Sequence, residues 1–339
     1  MYLSCKKWNI GSRFVKELLI DFISLSKYQK IYILGAGAVG CYFGGMLARA
    51  GHDVTLIGRS ERVQAINEFG LEMDCKSFQE LVSIRASDDL SVLEDADLVL
   101  LSVKSLDTEK TIKAIASIVP SHAVILSLQN GVANVDIATQ WISNSVYAAV
   151  VYVATGMLGQ RTMKHHGRGE LYVGTLQPAK EWDQENLAAI CKLFEGAGVP
   201  CSIAQHIKKD MWLKFLVNCT YNAISGIGQI TYGEMVRVPE IIQQIEHITE
   251  EFLAVARAEG VFISEAEALE ANTLIASTMV TQRSSTAQDL ARGKKTEIDF
   301  LNGHILELGK KHGIPVPYNA SIYALVKMLE QSKICQSVK

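Results

Sequence analysis

Within the 339-residue sequence, the side chains best spaced to share chemistry are Lys214, Asn218 and Asn222, in the run Met211-Trp212-Leu213-Lys214-Phe215-Leu216-Val217-Asn218-Cys219-Thr220-Tyr221-Asn222. At about 100° per residue, these three drift only about 80° around a helix. They therefore form one polar row on an otherwise apolar segment. Burying such groups without partners is costly, so the row must face either neighbouring helices or a ligand, and the motif alone leaves both open. If the row faces a ligand, its ammonium could neutralise a developing negative charge on oxygen and give it a proton.

A second constellation is Gly35-Ala36-Gly37-Ala38-Val39-Gly40, a G-x-G-x-x-G that follows an apolar strand and opens a helix. Gly35 suits the tight turn, Gly37 lets backbone approach a pyrophosphate, and Gly40 lets the helix pack close to the sheet. The helix N-terminus adds free N–H groups and partial positive charge. The bland alternative is a strand–helix turn that binds nothing. The complete β-α-β unit through Ile57 favours the dinucleotide. The next strand ends Leu56-Ile57-Gly58-Arg59, with no acid to hold a ribose hydroxyl. Arg59 can pair a 2′-phosphate through two N–H groups, which points to NADPH/NADP+. Glu61 is expected to lie past the pocket. Lys104 could add a second charge at the adenosine end, although a lysine after a strand is usually just solvated.

These groups need a scaffold. Ile31–Leu34, Asp53–Ile57, Ala96–Val103 and Val124–Leu128 are nearly unbroken apolar runs, with helical stretches such as 38–50 between them. That pattern predicts a parallel sheet covered on both faces. Strand-like runs follow at 146–154, 171–174 and 200–204, with a turn-rich segment at His165–Gly169. From about His206 the chain reads as helices over 209–224, 239–259, 264–279, 296–312 and 320–331. In the fourth, Ile298, Leu301, Ile305 and Leu308 define a buried face. The expected fold is an α/β N-terminal Rossmann-type dinucleotide-binding domain (29–205) followed by an all-α C-terminal domain (206–339). Residues 1–28 read as a dispensable extension, since the first core strand starts near Lys30. The cleft between the domains is the default place for a site.

Composition narrows the partners. A net charge of −3 without a basic stripe argues against nucleic acid. No apolar run approaches the roughly 18 residues of a membrane span. Cysteines 5, 41, 75, 191, 201, 219 and 335 form no C-x-x-C pair and none stands beside His at metal-ligand spacing. They read as thiols of a reducing, cytoplasmic setting, and no metal is expected.

The W-x-K-x-x-x-N-x-x-x-N row, together with Leu34-Gly35-Ala36-Gly37-Ala38-Val39-Gly40, resembles the 2-dehydropantoate 2-reductase (ketopantoate reductase) family. So do Gln129-Asn130-Gly131, Ser284-Ser285 followed by Gln288-Asp289, and Thr296-Glu297-Ile298-Asp299 ahead of Asn302-Gly303. His166-Gly167-x-Gly169 through Gly174 and Gly313-Ile314-Pro315-Val316-Pro317 also fit, so the match runs from about Lys30 to Leu329. The resemblance implies NADPH-dependent reduction of ketopantoate to pantoate, in pantothenate and coenzyme A biosynthesis. It makes Lys214 the general acid and Glu297 the partner of the substrate hydroxyl. It places Asn130, Asn218 and Asn222 along the nicotinamide and substrate pocket, with Ser285 as a donor to the substrate carboxylate. Ser285 and Glu297 are twelve residues apart, and Gly293 suggests that the chain breaks between them to bring both to one pocket.

The neighbouring readings are a reductase of another 2-keto acid, an opine-type dehydrogenase acting on an imine, and a non-catalytic NADPH-binding regulator. Lys214, Glu297 and Ser285 together discriminate against them. A homodimer is left open.

Overall fold

The structure, a computed structural model, describes residues 27–336. Among them a single sheet is built from β1 (Lys30–Leu34), β2 (Asp53–Ile57), β3 (Leu71–Asp74), β4 (Gln79–Val82), β5 (Arg85–Ser87), β6 (Leu98–Leu101), β7 (Val124–Ser127), β8 (Val146–Met157), β9 (Thr162–Gly174) and β10 (Cys201–Ile203). Its order is β4-β3-β9-β8-β7-β6-β1-β2-β5, with β10 on β9. The helices of this half are α1 (Ala38–Arg49), α2 (Ser60–Phe69), α3 (Thr108–Ile115), α4 (Asn134–Thr139) and α5 (Asp183–Gly196). Along β1, Ile31 and Ile33 join one buried cluster with α1 and α5, while Tyr32 and Leu34 join the other, which also holds the C-terminal helices. Both faces are covered, which is why the strand reads as an unbroken apolar run.

The central β7-β6-β1-β2 pairings are parallel, as expected. The sheet as a whole is mixed, because β8–β9 and β3–β4 run antiparallel. The reason is connection length: β8 and β9 are joined by residues 158–161, and so short a link can only fold back, whereas a parallel pair needs a long crossover. The reversal therefore lies at 158–161, closed by Leu158 N–H to Thr162 O at 2.9 Å, and not at 165–169. Gly167, Arg168 and Gly169 instead sit inside β9 at positive φ, opposite register shifts at Tyr152/Val153 and Ala154/Thr155. Positive φ at a strand irregularity is the mark of a bulge.

From Ile207 onward the chain is helical: α6 (Ile207–Val217), a π-helical turn (Asn218–Asn222), α7 (Ala223–Gly228), α8 (Tyr232–Met235), α9 (Pro239–Ala258), α10 (Glu265–Thr278), α11 (Ser285–Ala291), α12 (Asn302–His312) and α13 (Pro317–Gln336). Local chemistry sets several of these boundaries. Pro239 opens α9, and Ser264 with Glu267 forms a capping box on α10. Trp212, Phe215 and Phe252 stack edge to face at the centre, and Ile298, Leu301, Ile305 and Leu308 are buried as expected. Two helices differ from expectation. The 209–224 segment is interrupted by the π turn, and the 296–312 segment becomes a short 3₁₀ turn at Ile298–Phe300 before α12.

The extension read at 1–28 lies almost wholly outside the described residues, but its last two positions do not. Tyr28 is only 3% exposed and donates through its hydroxyl to the Asn186 carbonyl, and Lys27 pairs with Glu185. The extension is expected to end at residue 28, whereas the ring of Tyr28 already belongs to the buried core that α5 shares. Among the described residues no helix is long and apolar enough to cross a membrane.

Candidate active site

The site has two ends. At the first, β1 runs into the glycine turn and α1. Gly35 has φ +118°, and a Cβ on it would lie 2.6 Å from Val103 N and 2.7 Å from Ser102 C, so the turn itself demands glycine. A Cβ on Gly40 would collide with the Gly35 carbonyl oxygen and press on Ser102 and Ile33, so close packing of α1 demands glycine there too. Gly37 differs. Its φ is −84°, and a Cβ would meet nothing within 4 Å. Nothing among the described residues requires glycine at Gly37; the space in front of it suits a ligand.

The donors around this space are equally suggestive. Gly35 and Ala36 donate their N–H groups to Ile57 O, and Gly37 donates to Gly35 O. The first bond of α1 runs from Cys41 N–H to Gly37 O, so Ala38, Val39 and Gly40 begin the helix without backbone acceptors. Three oriented N–H groups at a helix start suit a phosphate. Arg59 is exposed at the start of α2, with no ion-pair or hydrogen-bond partner for its guanidinium among the described residues. Arg62, one turn further, buries Nη1 without a partner. It stands beside Cys41, whose thiol burial pushes up to about 12 against the opposing pull of that guanidinium. Glu61 is turned away, accepting from Gln160 Nε2 at 3.1 Å. A turn with open space, free N–H groups and uncompensated guanidinium charge fits a phosphorylated dinucleotide.

The second end is built on Lys214. Its Nζ donates to Asn130 Oδ1 at 3.0 Å and to the Val151 carbonyl at 2.6 Å. A small pocket at this point is lined by Gln129, Asn130, Gly131, Ala149, Val150, Met211, Lys214 and Phe215. Burial lowers the Lys214 pKa to about 8, with Glu297 opposing the fall and Arg168 adding to it. Asn130 is held by its own backbone carbonyl, which accepts from Ser105 Oγ at 3.1 Å and Asn134 Nδ2 at 2.6 Å. Glu297, in the loop before the 3₁₀ turn, accepts the Ser105 N–H through Oε1 at 2.8 Å. Hydrogen bonds thus tie Glu297 to Ser105, Ser105 to Asn130, and Asn130 to Lys214.

Asn218 and Asn222 stand at the two ends of the π turn. Asn218 Oδ1 accepts from Asn222 Nδ2 at 3.3 Å, and the Asn218 amide NH₂ has no partner among the described residues. Asn222 is only 5% exposed, accepts from Tyr232 Oη at 3.1 Å and takes Ser284 Oγ on its carbonyl. It supports the row from behind. Ser284 caps α11 and leaves the next residue, Ser285, exposed, its hydroxyl without a partner among the described residues. Lys104 does not stand free beside Arg59: its Nζ pairs with Asp289 Oδ2 at 2.7 Å and donates to Lys295 O, linking the loop after β6 to the helical domain.

Three contributors carry no side-chain signal or a disguised one. The Val151 carbonyl and the Ser105 N–H are backbone groups that no motif encodes. Arg168 stands at φ +58° between two glycines, with its guanidinium 4.2 Å from the Tyr152 ring centre and an ion pair to Glu170. The H-G-R-G spacing could have marked it as more than a turn.

A Rossmann-like mixed sheet, a glycine turn suited to a dinucleotide and a desolvated lysine in a small pocket between β8 and α6 define a class, the nicotinamide-dependent oxidoreductases. Comparison with known proteins narrows it. The profile described as "Ketopantoate reductase PanE/ApbA" matches residues 31–178, and its C-terminal counterpart matches residues 206–330. The chain belongs to the ketopantoate reductase family. The 2-dehydropantoate 2-reductases of Archaeoglobus fulgidus and Halobacterium salinarum are 30% and 31% identical to it, over 90% and 89% of this chain and 99% of each relative. A PanE/ApbA family ketopantoate reductase from Ralstonia eutropha JMP134 superposes with a TM-score of 0.83 at 47% identity, covering 90% of this chain and 99% of that one. A D-mandelate dehydrogenase solved with NADH and anilino(oxo)acetate also reaches 0.83, at 27% identity over 90% of this chain and 99% of that one.

Proposed function

We propose that the chain reduces 2-dehydropantoate (ketopantoate) to pantoate with NADPH, the step that supplies pantoate for pantothenate and coenzyme A synthesis. The observation that carries this reading is the hydrogen bonding of Lys214. An ammonium has three donors, and two are already taken by Asn130 Oδ1 and Val151 O. The third is left for a substrate carbonyl oxygen. Once that proton is given up, the neutral amine keeps two N–H groups for the same two acceptors. Both protonation states are therefore satisfied without rearrangement, which is what a reversible proton donor needs. A lysine near 8, rather than in its usual range above 10, is also poised to release a proton near neutral pH.

Bound NADPH would supply the hydride. Ala38, Val39 and Gly40 N–H groups would hold its pyrophosphate, and Arg59, backed by Arg62, its 2′-phosphate. Ser285 would donate to the substrate carboxylate. Glu297 Oε2, which has no partner among the described residues, would accept the substrate hydroxyl. Asn218, through its free amide NH₂, would donate to the bound substrate, and Asn222 would fix Asn218. Asn130 orients Lys214. Lys104 takes the positioning role that its bond to Asp289 supports.

The reading is tested by incubating the purified protein with NADPH and ketopantoate and identifying the product by mass. Pantoate should form in step with NADPH loss. Lys214→Ala should cut turnover by roughly 10²–10⁴, the range for a positioned general acid, with NADPH affinity nearly unchanged. Near-normal turnover in that variant would remove Lys214 from the acid role.

A further inference from the structure

Of the described cysteines, Cys41, Cys75 and Cys219 are buried without a sulfur neighbour, whereas Cys191 on α5 and Cys201 on β10 face each other. The Cys201 thiol donates to Cys191 Sγ at 3.6 Å. The turn between them is tightly fixed. Ala197 and Val199 donate to Phe194 O, Gly198 at φ +75° donates to Glu195 O, and Leu171 N–H holds Pro200 O at 2.9 Å. A disulfide needs its sulfurs about 2.05 Å apart, so roughly 1.5 Å must close, within reach of side-chain rotation.

We propose that Cys191 and Cys201 form a dithiol site that hydroperoxides oxidise to a disulfide, stapling α5 to β10. The two residues divide the work. Cys191 is half-buried and so reachable by a small oxidant, and the thiol of Cys201 holds the Cys191 pKa below its usual range. Cys201 is 3% exposed and its thiol is directed at Cys191 Sγ, so it is shielded from bulk oxidant and placed to attack an oxidised Cys191, which suits the resolving partner. In the first step the Cys191 thiolate attacks a peroxide oxygen. The O–O bond breaks, the sulfur becomes a sulfenic acid, and hydroxide leaves to pick up a proton as water. In the second, the Cys201 sulfur attacks Cys191 Sγ while its proton passes to the departing oxygen, which leaves as water, forming S–S and breaking S–O. The sum is two thiols and one hydrogen peroxide giving one disulfide and two waters.

The test uses the full chain and hydrogen peroxide. Trypsin cuts after Lys192, which separates the two cysteines into peptides 181–192 and 193–208. After peroxide treatment and alkylation of free thiols, these two peptides should appear joined, and dithiothreitol should release them. The oxidised protein should melt about 4 °C higher than the reduced one, as expected for closing a short loop in a chain of this size. In Cys201→Ser the link should vanish and Cys191 should instead gain oxygen. Both cysteines alkylated after peroxide, or a disulfide to any other cysteine, would overturn the proposal. The wild-type peptide map decides this even if the serine variant misfolds.

Discussion

Glu297→Gln isolates the electrostatics of the site. The amide is the same size and can still accept the Ser105 N–H, but the charge is gone. In the wild type, burial pulls the Lys214 pKa down to about 8 while Glu297 holds it up. If Lys214 must be protonated to act, kcat/KM for the keto acid at saturating NADPH should be flat at low pH and fall tenfold per unit above about 8. The ammonium fraction would be roughly nine-tenths at pH 7, half at pH 8 and a tenth at pH 9. Removing the Glu297 charge should move this break to lower pH, so that the variant loses most against the wild type near pH 8 and above. NADPH absorbance serves as the assay, with ketopantoate and with 2-ketoisovalerate, which lacks the hydroxyl. The shift of the break should be the same for both substrates, because it belongs to Lys214. The rise in KM should be confined to ketopantoate, because it belongs to the hydroxyl contact. A wild-type break in the range of a free lysine, about 10.4, would refute the reasoning, as would a break that ignores the loss of Glu297.

The remaining predictions separate fold from binding. Arg59→Ala should weaken NADPH by about 1.5–3 kcal/mol and leave NADH nearly unchanged, measured by titration with each; equal losses would make Arg59 structural. Gly37→Ala should keep the wild-type melting temperature but bind dinucleotide poorly, since a Cβ there meets no atom of the described residues. Gly40→Ala should lose stability outright, because its Cβ would strike the Gly35 carbonyl. Tyr28→Ala should cost roughly 3 kcal/mol in a denaturant melt, the usual loss for a buried aromatic ring.

Much of the candidate site is legible in the sequence because its proposed parts are side chains at telling intervals. The glycine turn, Arg59 and the Lys214 row follow from spacing, and the apolar runs of β1, β2, β6 and β7 announce strands buried on both faces. What could not be read was backbone. β3, β4 and β5 are short and carry Glu72, Asp74, Glu80 and Arg85 near the sheet's edges, so no apolar pattern betrays them. Glycines at 167 and 169 signal positive φ, which a turn and a bulge share, and the choice depends on what β8 does opposite them. The π turn runs from the half-buried Asn218 to the buried Asn222, yet side-chain identity at 218–222 looks like ordinary helix. Lys104 was placed by its position after a strand, whereas its partner, Asp289, comes from the other half of the chain.

The most direct test of the central claim is a ranking of kcat/KM for ketopantoate, 2-ketoisovalerate, pyruvate and benzoylformate, each with NADPH at saturation. The D-mandelate dehydrogenase with the same fold makes an aromatic keto acid a fair competitor. Ketopantoate should lead, and its lead over 2-ketoisovalerate should collapse in Glu297→Gln, which lacks the charge that accepts the substrate hydroxyl. A lead for benzoylformate or pyruvate, or a ketopantoate preference that survives the loss of Glu297's charge, would contradict the account.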